Sequence, residues 1–240
     1  MSLRVLIFAT TYADTPERVR LTEQWVKLHG TLNPDCNLLL VDSASPLCLN
    51  RSCAIQFQFY SFPNNIGHLS RNGPNGPSSR GRDGWGRAFC KGLEIAVADG
   101  YDYAVHIEGD SLFRLPVMPI VKQMWRDGVD CLSVPVEGTR RKEVGWVETG
   151  LMFFDVGYVA DSDFIKKYDW PNRTPSPTPE VIIHGLLGPS LKMMPWKAER
   201  GDKSQITVDN VTQLDWVTHC HDSCHESQQI YDRFVEIAIG

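Results

Sequence analysis

The first half of this 240-residue chain alternates short apolar runs with amphipathic segments, and this alternation limits the possible folds more than any other feature. Four runs have the length and the branched or aromatic residues of strands, at residues 3–9, 37–41, 55–62 and 103–107. Two segments carry apolar residues at three- and four-residue steps, one from Pro16 to a stop at Gly30 and one from Trp85 to a stop at Gly100. This order predicts an α/β fold, with a central mixed, mostly parallel sheet flanked by helices.

The second half is less regular. Strands are expected at residues 131–136 and 151–155, and helices at 161–168, from Thr178 onward and at 228–237. No internal repeat and no long linker divides the chain. Because 240 residues suit one large α/β domain better than two small ones, we expect a single domain over residues 1–240.

Composition disfavours several classes of protein. A net charge of −5 without a basic run gives no support to a nucleic-acid partner. No apolar stretch approaches the ~18 residues of a transmembrane segment, and the N-terminus lacks the pattern of a secretory signal. Seven cysteines without an export signal predict reduced thiols and a cytoplasmic location. The chain has no P-loop, no G-x-G-x-x-G after the first strand and no Ser-His-Asp order, which disfavours ATPases, dinucleotide oxidoreductases and α/β-hydrolases.

Polar residues follow three of the predicted strands directly. Thr10-Thr11-Tyr12 follows the first strand, Asp42-Ser43 the second, and Glu108-Gly109-Asp110 the strand at 103–107. In an open parallel sheet, ligands bind in the crevice at the carboxyl ends of the strands. The three clusters therefore predict a nucleotide site there, although ordinary surface loops are polar too.

The Glu108-Gly109-Asp110 turn carries two carboxylates one residue apart. Neighbouring carboxylates repel each other unless a proton or a hard divalent cation lies between them. Bound there, Mn²⁺ or Mg²⁺ bridges two phosphates and stabilises charge on a leaving diphosphate. The alternatives are a solvated acidic turn, or a helix N-terminus in which Asp110 caps a segment from Leu112.

The order of these features resembles the nucleotide-binding half of GT-A glycosyltransferases, over about residues 3–115. The resemblance rests on Thr10-Thr11-Tyr12 after the first strand, Val41-Asp42-Ser43, Asn65-x-Gly67 and the acidic turn. It implies a metal-dependent transfer of a sugar from a nucleotide-diphosphate donor, UDP by default, to an unknown carbohydrate or lipid-linked acceptor. In this interpretation, residues to about 115 hold the nucleotide, and those from about 116 supply acceptor contacts and the catalytic group.

The resemblance also assigns roles to individual residues. It implies that four residues contact the base and ribose: Thr10, Thr11, Tyr12 and Asp42. Asn65 and Gly67 would line the same pocket. Either Arg82 or Arg87 would reach the base or a phosphate. Mn²⁺ or Mg²⁺ is expected on Asp110 and Glu108, with His219 and His221 as further ligands from the late part of the chain. The family has aspartate where Glu108 stands, which leaves direct ligation by Glu108 open. A structural zinc or an incidental polar segment are the alternatives for the two histidines.

Two glutamates are candidates for the catalytic group. Glu180 follows a proline-rich loop, where many inverting members carry a Glu-Asp pair; here Val181 replaces the aspartate. Glu180 is therefore either the general base or a favourable charge at a helix N-terminus. Glu148 lies in a glycine-containing segment that resembles the one beside the donor sugar.

Two other functions stay open at the level of sequence. A sugar nucleotidyltransferase also binds nucleotides, but it usually has a glycine-rich basic loop after the first strand, which Thr10–Asp14 is not. A catalytically inactive nucleotide- or sugar-binding domain is compatible with Glu108 and with the missing Glu-Asp pair.

Overall fold

The computed structural model describes residues 2–47, 55–67, 83–134, 145–173, 177–194, 206–218 and 227–240. The strands are β1 (Val5–Thr11), β2 (Asn37–Asp42), β3 (Gln58–Ser61), β4 (Tyr103–Ile107), β5 (Ser111–Phe113), β6 (Cys131–Ser133), β7 (Leu151–Asp155), β8 (Leu191–Met193) and β9 (Trp216–Thr218). The helices are α1 (Pro16–Leu32), α2 (Gly84–Ala98), α3 (Val117–Asp127), α4 (Val156–Asp161), α5 (Phe164–Tyr168), α6 (Pro179–Leu187) and α7 (Ser227–Ile239).

Seven strands form the central sheet, in the order β3-β2-β1-β4-β7-β6-β8. β1 pairs in parallel with β2 and β4, and β2 with β3. β7 runs antiparallel to β4 and β6, while β8 is parallel to β6. The predicted mixed, mostly parallel sheet is confirmed. Because β7 is reversed, its first residues lie at the same edge as the last residues of β1, β2 and β4.

Apolar side chains cover both faces of this sheet. Alternation along β1 places Ile7 on the face that packs against α1, α3 and α7, and Phe8 on the face that packs against α2, α4, α5 and α6. Both side chains are fully buried, and burial of a large apolar side chain contributes about 1.5–3 kcal/mol. The core therefore lies on both faces, and it fixes the strand ends that carry the polar clusters.

α1 begins where the sequence predicts but ends later. The Thr15 hydroxyl accepts a hydrogen bond from the Arg18 amide at 3.3 Å, and Pro16 is the first helical residue. The predicted stop at Gly30 is wrong, because the helix continues to Leu32. A Cβ at Gly30 would lie 2.3 Å from the Ile55 side chain. The glycine thus makes room for a neighbouring segment instead of ending the helix.

Two elements are shorter or more divided than their patterns predict. β3 comprises Gln58–Ser61, not the whole of 55–62. The helix expected at 161–168 begins only at Phe164, as α5; Asp161 is the last residue of α4, and Asp163 between the two helices has a left-handed φ of 54°. α6 begins after Thr178 as predicted, with Pro179 as its first residue.

The residues after the acidic turn form a strand. Ser111–Phe113 is β5, which pairs antiparallel with β9 in a separate two-stranded sheet. The alternative in which Asp110 caps a helix from Leu112 is therefore wrong, since pairing with a distant segment holds this stretch extended. Across the described part of the chain, every helix is too short or too polar to cross a membrane.

Candidate nucleotide and metal site

A cavity of about 550 Å³ opens at the carboxyl ends of β1, β2 and β4. Seven predicted site residues line it: Thr10, Thr11, Tyr12, Asn65, Gly67, Glu108 and Asp110. Ligand pockets usually enclose ~300–1,000 Å³, so the volume suits a small organic ligand. The structure brings these residues together from three separate parts of the sequence.

Main-chain hydrogen bonds fix the acidic turn at this edge. The Glu108 amide donates to the Gly150 carbonyl at 2.9 Å, and the Gly109 amide to the Thr10 carbonyl at 3.3 Å. A Cβ at Gly109 would lie 2.6 Å from the Thr10 carbonyl oxygen, which is closer than packed atoms tolerate. The Tyr231 hydroxyl of α7 donates to the Asp110 carbonyl at 3.0 Å. The turn is thus held against the end of β1, and only glycine fits at its centre.

The Glu108 and Asp110 side chains are half-buried and border the cavity. Carboxylate oxygens are the donors that Mg²⁺ and Mn²⁺ prefer, so this pair fits a hard divalent cation. No group of three or more His, Cys, Asp or Glu side chains suited to a metal occurs within the described ranges. The predicted ligands His219 and His221 lie outside those ranges.

The loop after β1 supplies one wall of the cavity. Thr10 and Thr11 are buried, whereas the Tyr12 side chain is exposed at the rim. The Ala13 amide that follows donates to the Ser45 hydroxyl at 2.7 Å. The loop is therefore tied to the segment after β2, and it presents an aromatic ring to any ligand at the opening.

Asp42 is buried beside this wall and does not line the cavity. Its carboxylate accepts hydrogen bonds from the Ser61 hydroxyl at 3.0 Å, the Ser45 amide at 2.9 Å and the Thr11 hydroxyl at 3.4 Å. The next residue, Ser43, does line the cavity. In the free protein, the Asp42 carboxylate joins the ends of β1, β2 and β3, and its predicted contact with base or ribose stays a prediction.

Asn65 and Gly67 form a tight turn, and the Gly67 amide donates to the Asn65 side-chain oxygen at 2.7 Å. Gly67 has a φ of 85°, a conformation that glycine adopts without strain. Arg87 lies behind this segment: its guanidinium stacks 3.8 Å over the Phe62 ring and donates to the Asn64 carbonyl at 2.7 Å. Burial lowers the pKa of Arg87. Arg87 therefore supports the segment and does not border the cavity, and Arg82 lies outside the described residues.

The start of α2 borders the cavity with Gly84 and Trp85, which the sequence did not single out as site residues. Asp83 caps this helix by accepting from the Gly86 amide at 2.8 Å. The same carboxylate forms a buried ion pair with Arg173 at 3.0 Å and accepts from the Tyr168 hydroxyl at 2.8 Å. Burial, followed by the charge of Asp83, raises the pKa of Tyr168. A polar network inside the core thus holds the start of α2, where Gly84 and Trp85 border the cavity.

Glu148 is buried where β7 begins, two residues before Gly150, which holds the acidic turn. Its carboxylate accepts from the Gly150 amide at 3.2 Å. His106 of β4 donates from Nδ1 to the Thr149 carbonyl at 2.8 Å, and burial lowers the pKa of His106 to about 4, so the ring is neutral near pH 7. These contacts place Glu148 close to the Glu108 backbone.

Glu180 lies in the first turn of α6, half-buried, and does not border the cavity. α6 packs against α5 on the α2 face of the sheet. Neither predicted catalytic glutamate lines the cavity, but the Glu148 carboxylate binds the Gly150 amide, and the Gly150 carbonyl binds the acidic turn.

Arg18 of α1 borders the cavity, together with Leu21 and Thr22 of the same helix. The sequence analysis did not predict this arginine; its candidate cations were Arg82 and Arg87. The periodicity of α1 was a usable signal, since residues 18, 21 and 22 share one helix face.

Comparison with solved structures identifies related folds. A structure of the galactosyltransferase LgtC in complex with donor and acceptor sugar analogs matches with a TM-score of 0.55, covering 98% of this chain and 95% of that one at 12% identity. An active-site mutant of LgtC matches with a TM-score of 0.51, covering 79% of this chain and 72% of that one at 13% identity. No protein-family model matches the sequence, and the curated proteins gave no match. The sheet order, the crevice at its carboxyl edge and this similarity over nearly the whole length together show that the chain has a GT-A fold.

Proposed function

We propose that the protein is a glycosyltransferase that moves a sugar from a nucleotide-diphosphate donor, UDP by default, to a carbohydrate or lipid-linked acceptor. The observation that carries this proposal is the convergence of Thr10–Tyr12, Asn65–Gly67 and the Glu108–Asp110 turn on one cavity. It supplies an aromatic rim for a base, buried hydroxyls for a ribose and carboxylates for a metal beside a diphosphate. The similarity to LgtC, a galactosyltransferase solved with donor and acceptor sugar analogs, supports the same interpretation.

In this proposal Glu108 and Asp110 hold Mn²⁺ or Mg²⁺, with His219 and His221 as candidates for the remaining ligands. The ion supplies a Lewis acid that neutralises charge on the leaving diphosphate. Main-chain hydrogen bonds hold the backbone of the turn, so both carboxylates start from fixed backbone positions before any ion binds. A cytoplasmic location stays a prediction from the sequence.

Glu148 and Glu180 are the candidates for the catalytic group, and the contacts of the two residues favour Glu148. A group that takes a proton from an acceptor hydroxyl must reach the reacting atoms. Neither Glu148 nor Glu180 lines the cavity itself, but Glu148 is joined through Gly150 to the acidic turn, which does. We expect Glu148→Gln to lower donor turnover at least ~100-fold, the typical contribution of general acid–base catalysis. Glu180→Gln is the matched control, and equal losses in both variants would contradict this assignment.

The first experiment is a thermal-shift series with UDP-, GDP-, dTDP- and CDP-sugars, each with and without Mn²⁺. A ligand that binds only the folded state raises the melting temperature. We expect one nucleotide to stabilise the protein in a metal-dependent way, and Asp110→Asn to abolish the metal dependence with the fold intact. No shift with any donor would refute the proposal. Binding without hydrolysis or transfer would instead favour an inactive nucleotide-binding domain.

A further inference from the structure

The cavity wall has an uneven distribution of charge. Among the described residues that line it, Glu108 and Asp110 are anionic and Arg18 is the one cation. A nucleotide diphosphate adds further negative charge to a wall that already carries two carboxylates. One divalent ion cannot neutralise both the two carboxylates of the turn and a diphosphate. A second positive group on the wall would therefore neutralise part of the remaining negative charge.

The position of Arg18 on α1 is set by the helix period. Leu21 and Thr22, three and four residues later, border the same cavity, so Arg18 belongs to the face of α1 that is turned toward it. Arg20 belongs to another face and pairs with Asp232 of α7 at 2.7 Å. Arg20 therefore offers a control arginine on the same helix, away from the ligand site.

In the free protein the Arg18 guanidinium pairs with Asp14, with Nη1 2.9 Å from Oδ1. Both side chains are 41% exposed, and exposed pairs of this kind contribute little to stability. A diphosphate accepts charge-assisted, two-pronged hydrogen bonds from a guanidinium, which are stronger than one exposed contact. Asp14 is thus a partner that a phosphate can displace.

We propose that Arg18 binds the diphosphate of the donor in the cavity that it shares with the acidic turn, and that Asp14 holds the guanidinium at the cavity wall until the donor arrives. This inference rests on the proposed function and extends it by naming a phosphate-binding cation. Arg18 neutralises phosphate charge through hydrogen bonds, while the acidic turn acts through the metal.

The test compares Arg18→Gln with Arg20→Gln by isothermal titration in Mn²⁺. The probes are UDP and uridine, or the matching pair if the donor series identifies another base. We expect Arg18→Gln to weaken the binding of UDP at least ~10-fold, which is the effect of losing a hydrogen bond to a charged group. Uridine lacks phosphates and should bind both variants within about twofold of the wild type. Arg18→Lys should restore part of the UDP affinity, because lysine keeps the charge but not the planar fork.

Asp14→Asn tests the second half of the proposal. Removing the competing carboxylate should leave UDP affinity unchanged or tighten it up to about threefold, in keeping with a weak exposed pair. A loss of UDP affinity in this variant would show that Asp14 is not a displaceable partner. Unchanged UDP binding in Arg18→Gln, or an equal loss for UDP and uridine, would overturn the assignment of Arg18 to the phosphates. If the wild type binds no nucleoside diphosphate at all, the proposed function itself fails, which the wild-type titration reveals before any variant is compared.

Discussion

Replacement of Arg173 by methionine tests whether the ion pair at the start of α2 stabilises the fold. The Arg173 and Asp83 side chains are 3% and 2% exposed, so neither charge is solvated by bulk water. Breaking a buried pair by removing one partner costs about 3–5 kcal/mol, because the other charge is left uncompensated. Asp83 retains hydrogen bonds from the Gly86 amide and the Tyr168 hydroxyl. We therefore expect Arg173→Met to lower the free energy of unfolding by about 3 kcal/mol, the lower end of that range. A typical domain has a free energy of unfolding of ~5–15 kcal/mol.

The assay is urea unfolding at pH 7, followed by both circular dichroism and tryptophan fluorescence, since coincident curves justify a two-state fit. Asp83→Asn should be similarly destabilising, whereas the double variant leaves no buried charge. The double variant should lose about 2 kcal/mol less of the free energy of unfolding than the sum of the losses in the two single variants. Arg233→Met is the control, because Arg233 pairs with Glu236 on the surface and its removal should cost below ~0.5 kcal/mol. Additive single losses, or a cost below ~1 kcal/mol for Arg173→Met, would refute the reasoning.

Two further perturbations have clear directions. Gly109→Ala should weaken metal-dependent donor binding and lower the free energy of unfolding in urea by about 1–3 kcal/mol, since its Cβ would lie 2.6 Å from the Thr10 carbonyl. The control is Gly185→Ala on α6, where a Cβ meets nothing within 4 Å, and this variant should be as stable as the wild type or more stable. Equal changes in stability for the two variants would contradict the prediction. Acid should destabilise the fold, because burial lowers the pKa of His29 to about 3 and of His106 to about 4. The unfolded chain takes up these protons first, so the free energy of unfolding should fall below pH 6.5 by up to ~1.4 kcal/mol per pH unit for each histidine; a flat urea-unfolding series from pH 6.5 to pH 4.5 would disprove it.

The sequence predicts the first half of the fold well, because β1, β2 and β4 are buried on both faces and their apolar runs are unbroken. The three-residue strands β5, β8 and β9 were not predicted. Their pairing depends on partners far away in the sequence, which local periodicity does not report. The prediction that Gly30 ends a helix failed for a related reason. A glycine is needed at this position because the Ile55 side chain lies against it, and not because the helix ends there.

In the candidate site, too, local sequence predicts some of the residues, while others depend on contacts between distant segments. Residues after parallel strands could be predicted from the crevice rule, and Thr10–Tyr12 and Glu108–Asp110 do border one cavity. Glu148 precedes β7, and only the reversal of that strand brings it to the same edge. Trp85 and Arg18 come from helix starts; the period of α1 places Arg18 on one face with Leu21 and Thr22, but it does not show that a ligand cavity lies along that face. Neither the antiparallel register of β7 nor the depth of the crevice is encoded within a short window of sequence.

The contact between Gly109 and Thr10 makes the acidic turn and the first loop a single rigid unit. The Gly109 amide is bonded to the Thr10 carbonyl, and the space between them excludes even a methyl group. The backbone positions of Tyr12, Glu108 and Asp110 relative to one another are consequently set by main-chain contacts, and only the rotamers of their side chains adjust the distance from ring to carboxylate. Under the proposed function, we expect this backbone spacing to favour ligands of one length, so that a nucleoside monophosphate or triphosphate engages the aromatic rim and the acidic turn together less well than the diphosphate does.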